Sequence, residues 1–376
     1  MIDLRSDVCS VPTDAMWEAM REAELGWALV GEDASVNMLC ERVAALLGKP
    51  AALWLPTLGM GNLVAMLTFC APGEMVVLEA ASHVLSSESM GITEIARLEP
   101  SPLWAPDGRM DPAAVEEVVA ESRAALLILE NTHTRAGGTT LSAELTAELA
   151  AAAKRHDCRV HIDGARLLNA SVALGVPPAA LAEPANSVVI SLNKALSAPF
   201  GAVLAGSEAV VERARLLAHR LGGGSVHRAG IAAAAALVAL DTMIDRIADD
   251  HRRARELGVL LAAIPGIRLQ PETVETNIVL ADVTGTGLVS EQLIPVLEQA
   301  GLRVFERDLG RLRFVTHRLI GDAEIEQAAA IVAGVVERHA VPSAVEPAVE
   351  GLDEYLDWEA DRIAAIEQAE RTDRAE

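Results

Sequence analysis

Along the chain, short apolar runs alternate with longer segments in which apolar residues recur every three or four positions. The short runs are rich in β-branched residues and predict strands, whereas the longer segments predict amphipathic helices. Because the runs are apolar at nearly every position, we expect both faces of the strands to be covered. The pattern therefore predicts an α/β protein whose mostly parallel sheet carries helices on each side. The predicted strands span residues 51–56, 75–80, 124–131, 158–164, 187–193 and 201–207.

The pattern changes near residue 250, where a charged helical segment (251–264) begins. Shorter apolar runs then alternate with helical segments, which predicts a smaller α+β unit. Its predicted strands are 267–272, 277–283, 302–308 and 311–317, and its later helices are 288–300 and 322–339. We therefore expect three parts: an N-terminal segment with a large domain (1–250), a small C-terminal domain (251–340) and an acidic helical extension (341–376).

Composition and charge narrow the class of protein. The 376 residues are 51% hydrophobic with a formal net charge of −23, which is typical of a globular chain and argues against nucleic acid or an anionic membrane as partner. The four cysteines are scattered and the nine histidines form no ligand pattern, so neither a disulfide framework nor a metal site is expected. Charge near the N-terminus is unlike a signal peptide. We expect a cytoplasmic protein.

Lys194 is one of only three lysines, and it stands at the end of the very apolar strand predicted over 187–193. Burial disfavours the charged ammonium group and lowers its pKa, which makes a neutral amine available. A neutral amine in an apolar site is the nucleophile that Schiff-base chemistry requires. The alternative is a lysine that reaches solvent from a strand end.

Asp163 ends another predicted strand, 31 residues before Lys194, in the sequence HIDGARL. Open α/β sheets bind ligands at this edge. Asp163 either forms a structural ion pair with Arg166 or faces a protonated ring nitrogen. Pyridoxal phosphate needs such a pair, because a lysine holds its aldehyde and an aspartate keeps its pyridine nitrogen protonated. The two strand ends together therefore indicate a pyridoxal-phosphate site.

Three further features are candidates for binding anions. PTLGMGNLVAML (56–67) follows a strand and opens a helix, so backbone N–H groups at Leu58 and Gly59 would hold a phosphate. LGGGSVHRAG (221–230) offers His227 and Arg228. Both segments are also compatible with plain glycine-containing loops. Arg313 lies on a predicted strand, where it would either grip a carboxylate with two hydrogen bonds or face solvent from an edge.

Seven motifs in sequence order resemble the L-threonine aldolases of the β-eliminating lyase family, which are pyridoxal-phosphate enzymes of fold type I. The resemblance runs from residue 3 to about residue 339. The motifs are DLRSD (3–7), GEDASVN (31–37), ENTH (130–133), DGARLLNA (163–170), LNKALSAPFG (192–201), LGGG (221–224) and RFVTH (313–317).

The resemblance implies a role for each site residue. Lys194 would carry the cofactor, Asp163 would pair with the ring nitrogen, and His83 would stack on the ring. The residues implied to hold the substrate carboxylate are Ser6, Arg166 and Arg313, and His133 is implied to lie near the substrate hydroxyl. The base would be His83 or a water near His133. A homodimer or homotetramer with shared sites is also implied.

Several positions depart from the family pattern around the pocket. Leu58 and Gly59 stand where the family usually has glycine and threonine, and Val30 stands where it usually has tyrosine. Thr134 replaces the usual asparagine, and His227 or Arg228 takes the place of the usual arginine. The expected reaction is Cα–Cβ cleavage of a β-hydroxy-α-amino acid, bulkier than threonine, to glycine and an aldehyde. The alternatives are a transaldolase, a β-eliminating lyase or a racemase on a related amino acid, or a homologue without catalysis.

Overall fold

The structure is a computed structural model that describes residues 1–308 and 310–339. The extension predicted over 341–376 lies outside the described residues. The strands are β1 (Ile2–Asp3), β2 (Ala51–Leu55), β3 (Met75–Glu79), β4 (Glu99–Leu103), β5 (Leu126–Glu130), β6 (Arg159–Gly164), β7 (Ser187–Ser191), β8 (Ala202–Gly206), β9 (Ile278–Asp282), β10 (Leu302–Arg303), β11 (Phe305–Asp308) and β12 (Arg311–Val315). The α-helices are α1 (Asp14–Glu22), α2 (Ala34–Leu46), α3 (Leu58–Phe69), α4 (His83–Met90), α5 (Pro112–Ser122), α6 (Ala143–Lys154), α7 (Leu167–Leu174), α8 (Pro178–Ala182), α9 (Glu208–Arg220), α10 (Gly230–Thr242), α11 (Ile247–Ala262), α12 (Ser290–Gln299) and α13 (Asp322–His339).

A seven-stranded sheet in the order β2-β8-β7-β6-β5-β3-β4 forms the centre of the molecule. Strands β7, β6, β5, β3 and β4 are parallel, and β8 is antiparallel to both of its neighbours. It follows that β2 runs in the same direction as the parallel strands. The carboxyl ends of six strands therefore meet at one edge of the sheet, where α/β proteins place their ligands.

Alternate residues of the central strands pack into different apolar clusters. In β5, Leu127 and Leu129 join a cluster on one face, and Leu126 and Ile128 join a second cluster on the other. Helices cover both faces, which explains why the strands are apolar at nearly every position. The predicted α/β class with a mostly parallel sheet is confirmed.

The C-terminal part is built on the antiparallel sheet β11-β12-β9. Its core includes the fully buried Phe314 and also Ile2 and Leu4 from the N-terminus, because β1 pairs with β10. The division at residue 250 falls inside α11, whose first residue packs against the large core and whose later turns pack against the small one. The domain limits themselves stay a prediction.

Two local predictions differ from the structure. The strand predicted over 267–272 is reduced to a single bridge between Arg268 and Asp282, followed by a turn at Pro271–Thr273. Proline has no N–H with which to continue a ladder. Conversely, β4 was not predicted, because its sequence EPSPL is polar and contains two prolines. Its position at the sheet edge tolerates both. Within the described residues, no helix combines the length and apolarity needed to cross a bilayer.

Candidate active site

Titratable residues gather at the carboxyl edge of the central sheet. Glu79 ends β3, Glu130 ends β5, and Asp163 is the penultimate residue of β6. Lys194 follows β7 by three residues. Since these four strands are parallel neighbours, their ends bring three carboxylates and one amine to a single edge.

Asp163 is fully buried, and neutral groups bond both of its oxygens. Its Oδ1 accepts a hydrogen bond from the Ala165 backbone N–H at 3.0 Å, and its Oδ2 accepts one from Asn62 Nδ2 at 2.9 Å. Burial, together with repulsion from Glu130, raises the pKa of Asp163 to about 6. A cation placed against this carboxylate would lower that pKa again, so the site favours a positively charged partner.

Lys194 lies in the tight loop that connects β7 and β8. The Ser197 N–H donates to the Lys194 carbonyl at 2.8 Å, and Ser197 itself adopts a left-handed φ of 56°. The hydroxyls of Ser197 and Ser10 are 2.8 Å apart, which ties this loop to the N-terminal segment. Burial, assisted by the Arg166 guanidinium, lowers the pKa of Lys194. The expectation of a desolvated lysine at this strand end agrees with that environment.

His83 begins α4 and faces the same group of carboxylates. Its backbone N–H donates to Glu130 Oε2 at 2.7 Å, and its Nδ1 lies 3.2 Å from Glu88 Oε1. The Glu88 carboxylate raises the pKa of His83. The imidazole remains partly exposed, so it is accessible to a ligand in the site.

His133 is buried between two carboxylates. Its Nε2 lies 2.8 Å from Glu79 Oε2 and 3.8 Å from Glu130 Oε2, and its Nδ1 accepts the Ala136 N–H at 3.2 Å. Although burial opposes it, attraction from Glu130 and Glu79 raises the pKa of His133. Both ring nitrogens therefore contact the protein itself, and the geometry makes His133 a support for the strand ends.

Arg166 forms a buried two-point ion pair with Asp7. Its Nε and Nη2 each lie 2.8 Å from an Asp7 oxygen, and its Nη1 donates to Thr134 Oγ1 at 2.9 Å. Burial raises the pKa of Asp7, but the Arg166 guanidinium outweighs it and holds that pKa at about 2. The structural ion pair considered for Arg166 thus exists, with Asp7 as its partner instead of Asp163.

Arg313 has a different environment, with capacity for an anion. Its Nη2 donates to the Arg5 carbonyl at 3.3 Å, and its guanidinium lies 5.7 Å from the centre of the Phe305 ring. Among the described residues, its buried Nε has no hydrogen-bond partner. Burial and the positive charge of Arg166 lower the pKa of Arg313 to about 10. A carboxylate would supply both the missing acceptor and the missing negative charge.

Ser6 lies between Arg5, whose carbonyl accepts from Arg313, and Asp7, which pairs with Arg166. Ser6 is buried, and its hydroxyl donates to Asp7 Oδ1 at 3.4 Å. The Oγ atom of Ser6 also accepts the Val8 N–H at 3.4 Å. Since Asp7 pairs with Arg166, the N-terminal segment carries Ser6 to the edge of the site.

The two predicted phosphate-binding segments lie next to each other, because a Cβ at Gly223 would lie 2.5 Å from Met60 Sδ. Thr57 caps α3 by accepting the Met60 N–H at 3.1 Å, so Leu58 and Gly59 form the first turn of a helix, as predicted. The Leu58 side chain is buried in an apolar cluster, which leaves only its backbone for an anion. A Cβ at Gly59 would lie 3.3 Å from Glu88 Oε1.

His227 and Arg228 are exposed and contact the segment at residues 26–27. His227 Nδ1 accepts from Trp27 Nε1 at 3.1 Å, and Arg228 Nη1 donates to the Gly26 carbonyl at 2.8 Å. These contacts direct both side chains to the outer surface of the chain. Their assignment to cofactor binding stays a prediction.

Sequence reasoning assigned no role to Asp7, Asn62 or Glu88, although each contacts a predicted site residue. Asp7 was part of the DLRSD motif, and its pairing with Arg166 joins positions 159 residues apart. Asn62 and Glu88 lie on α3 and α4, and only the folded chain brings them to Asp163 and His83. Among the described residues, no group of histidine, cysteine and carboxylate side chains is arranged to hold a metal ion.

The fold is that of fold type I proteins. The structure of threonine aldolase from Leishmania major is similar, with a TM-score of 0.76 at 18% identity over 89% of this chain and all of that one. An aspartate aminotransferase from Rhodobacter sphaeroides gives a TM-score of 0.71 at 20% identity, covering 90% and 94% of the two chains. At these identities the likeness shows the fold alone.

The family follows from sequence. The model of the family described as beta-eliminating lyase matches residues 3–284. Low-specificity L-threonine aldolase 1 of Arabidopsis thaliana is 39% identical over 334 residues, 86% of this chain and 93% of the relative. Low specificity L-threonine aldolase of Escherichia coli strain K12 is 36% identical over 260 residues, 68% and 77% of the two chains. The chain therefore belongs to the β-eliminating lyase family, as the motifs predicted.

Proposed function

We propose that this chain is a pyridoxal-phosphate-dependent lyase that cleaves the Cα–Cβ bond of a β-hydroxy-α-amino acid to glycine and an aldehyde. One observation carries the proposal. Asp163 and Lys194 lie at the ends of adjacent parallel strands, where Asp163 is fully buried and desolvation lowers the pKa of Lys194. The threonine aldolases among its relatives support the same reaction.

The residues at the sheet edge fit pyridoxal phosphate. Lys194 has the lowered pKa that covalent attachment needs, and Asp163 is a buried carboxylate whose bonded neighbours are neutral N–H groups. His83 would lie against the ring, and the N–H groups of Leu58 and Gly59 would face the phosphate. When bound, the cofactor supplies an acceptor for the electron pair released at Cα.

The substrate carboxylate is assigned to Arg313, Ser6 and Arg166. Arg313 provides the principal contact, because its Nε lacks an acceptor among the described residues. Arg166 is already bonded at three nitrogens, so its contribution is mainly positive charge and the alignment of Thr134 and the N-terminal segment. A two-point grip on the carboxylate fixes the rotation about Cα and selects the bond that breaks.

His83 is the proposed base for the substrate hydroxyl. Its imidazole is partly exposed, and because Nδ1 lies 3.2 Å from Glu88 Oε1, Nε2 is the atom assigned to the substrate hydroxyl. A positioned base of this kind contributes roughly 10²–10⁴-fold to turnover. A water near His133 is the alternative base, and the carboxylates of Glu79 and Glu130 would then hold His133 in place.

A substrate bulkier than threonine is proposed from two departures from the family pattern, at Val30 and Thr134. Val30 is 53% exposed in one chain, and the side chain of Thr134 is occupied by Arg166. Val30 lies close to Trp27, which contacts His227, so the departures at Val30 and His227 share one surface. We propose that a second copy of the chain covers this surface in a homodimer or homotetramer of the cytoplasm.

The proposal is tested by incubating the pyridoxal-phosphate-loaded protein with L-threonine, L-allo-threonine and phenylserine. Glycine and the matching aldehyde are the expected products, with the highest kcat/KM on phenylserine. Release of pyruvate or an oxo acid would identify an eliminating lyase, and inversion without cleavage would identify a racemase. A loaded protein that transforms none of the three would contradict the lyase assignment.

A further inference from the structure

A chain of buried hydrogen bonds runs behind Asp163. His161 Nδ1 is 2.8 Å from Ser187 Oγ, and His161 Nε2 is 3.1 Å from Asn62 Oδ1. Asn62 Nδ2 then donates to Asp163 Oδ2 at 2.9 Å. All four side chains are fully buried. The network connects the start of β7, the middle of β6 and the first turns of α3 to one oxygen of the carboxylate.

The network has one consistent arrangement of hydrogen atoms. Asn62 Nδ2 also lies 3.2 Å from Glu88 Oε2, so the amide nitrogen faces two carboxylates. The reversed amide would set its oxygen against both carboxylates, which excludes that orientation. Asn62 Oδ1 must then accept from His161 Nε2, and Ser187 must donate to His161 Nδ1. Burial lowers the pKa of His161 to about 3, so its ring stays neutral and keeps this tautomer.

We propose that Asn62 is a positioning residue that orients the Asp163 carboxylate towards the ring nitrogen of the cofactor. It acts by donating to Asp163 and by separating that carboxylate from Glu88. The inference rests on the proposed function, because it takes Asp163 to be the partner of the ring nitrogen. Asn62 itself touches neither the substrate nor the reacting atoms.

The chemistry of the amide group explains why asparagine is required here. Alanine would leave Asp163 Oδ2 without its donor, and a buried charged acceptor without a partner is costly. Aspartate has nearly the same shape as asparagine, but it would set a third carboxylate against Asp163 and Glu88. Asn62→Ala removes both the hydrogen-bond donor and the shape of the side chain, whereas Asn62→Asp keeps the shape and removes only the donor. Comparing the two variants therefore separates the two effects.

The test measures the affinity for pyridoxal phosphate by absorbance titration of the cofactor-free proteins at neutral pH. Asn62→Ala should weaken binding about tenfold, since a hydrogen bond to a charged group is lost. Asn62→Asp should weaken the binding of pyridoxal phosphate further, although aspartate fills the space of Asn62 better than alanine does. The control is Asn186→Ala, which removes an amide that accepts the Val160 N–H at 2.8 Å at the other end of β6. Its affinity should equal that of the wild type.

A purely structural role for Asn62 predicts the opposite order, with Asn62→Asp closer to the wild type than Asn62→Ala, and that order would overturn the inference. Thermal unfolding of the cofactor-free proteins shows whether each variant folds. Should Asn62→Ala fail to fold, Ser187→Ala tests the far end of the network, where a weakening of about threefold is expected and an unchanged affinity refutes the network. A wild type that binds no pyridoxal phosphate would refute the proposed function itself.

Discussion

The two ends of the proposed cofactor site are built differently. At the ring end, Asp163 and Asn62 are fully buried, and hydrogen bonds from three elements cross-link them. At the phosphate end, the first turn of α3 offers backbone N–H groups, while His227 and Arg228 are exposed and contact residues 26–27. Asp163, which matches the family pattern, lies at the ring end, whereas Leu58, Gly59 and His227 or Arg228, which depart from it, lie at the phosphate end.

This difference follows from how each end recognises its target. A carboxylate that must face one ring nitrogen depends on the identity and orientation of a particular side chain. A helix N-terminus binds an anion through backbone N–H groups that most side chains leave in place. We therefore expect the departures from the family pattern at Leu58 and Gly59 to affect the reaction less than a substitution of Asp163 would.

The largest effect is expected at the ring end. Asp163→Asn keeps the shape of the side chain and removes its charge, so kcat should fall by at least about 100-fold. Steady-state release of glycine measures the effect, with Asn186→Ala as a control for a distant polar change on the same pair of strands. A variant that keeps the wild-type kcat would show that Asp163 does not stabilise the developing charge.

An intermediate effect is expected at Arg313. Arg313→Lys keeps a positive charge but loses the planar fork that binds a carboxylate at two points. KM for the amino acid should rise about tenfold while kcat changes less. Arg311→Lys, on the same strand but exposed, is the matched control. Equal KM values for the two variants would remove Arg313 from the substrate site.

The smallest effect is expected at the phosphate end. His227→Ala should weaken pyridoxal-phosphate binding about threefold and leave kcat of the saturated enzyme unchanged, because a polar contact at an exposed position contributes little. Absorbance titration of the cofactor measures this change, and His156→Ala controls for the loss of a surface histidine. A loss of affinity larger than that of Asn62→Ala, measured by the same titration, would reverse the ranking of the two ends.

Much of the fold can be predicted, because the composition of its buried strands distinguishes them from the surrounding sequence. The buried strands β5 and β7 are leucine-rich or β-branched runs, and Ser142 marks the start of α6 by accepting the Leu145 N–H. The edge strand β4 was missed because burial does not constrain its composition. The order of strands within the sheet depends on contacts between distant segments and was not predicted.

The site residues likewise fall into those that local sequence pattern predicts and those that only contacts between distant segments bring together. Asp163 and Lys194 are recognisable because polar residues end apolar strands. The contacts of Asp7 with Arg166 and of Asn62 with Asp163 join residues 159 and 101 positions apart. Local pattern carries no signal for such pairs. Alternation within β6 places His161 on the same face of the sheet as Asp163. That alternation is the local pattern from which the proximity of His161 to Asp163 can be predicted.

The most direct test of the account is the position at which the cofactor attaches. Reduction of the pyridoxal-phosphate-loaded protein with borohydride, followed by peptide mapping, should place the label on Lys194 alone, and Lys194→Ala should carry none. Label on Lys49 or Lys154, or full activity in Lys194→Ala, would contradict the central claim that the strand-end lysine, Lys194, holds the cofactor.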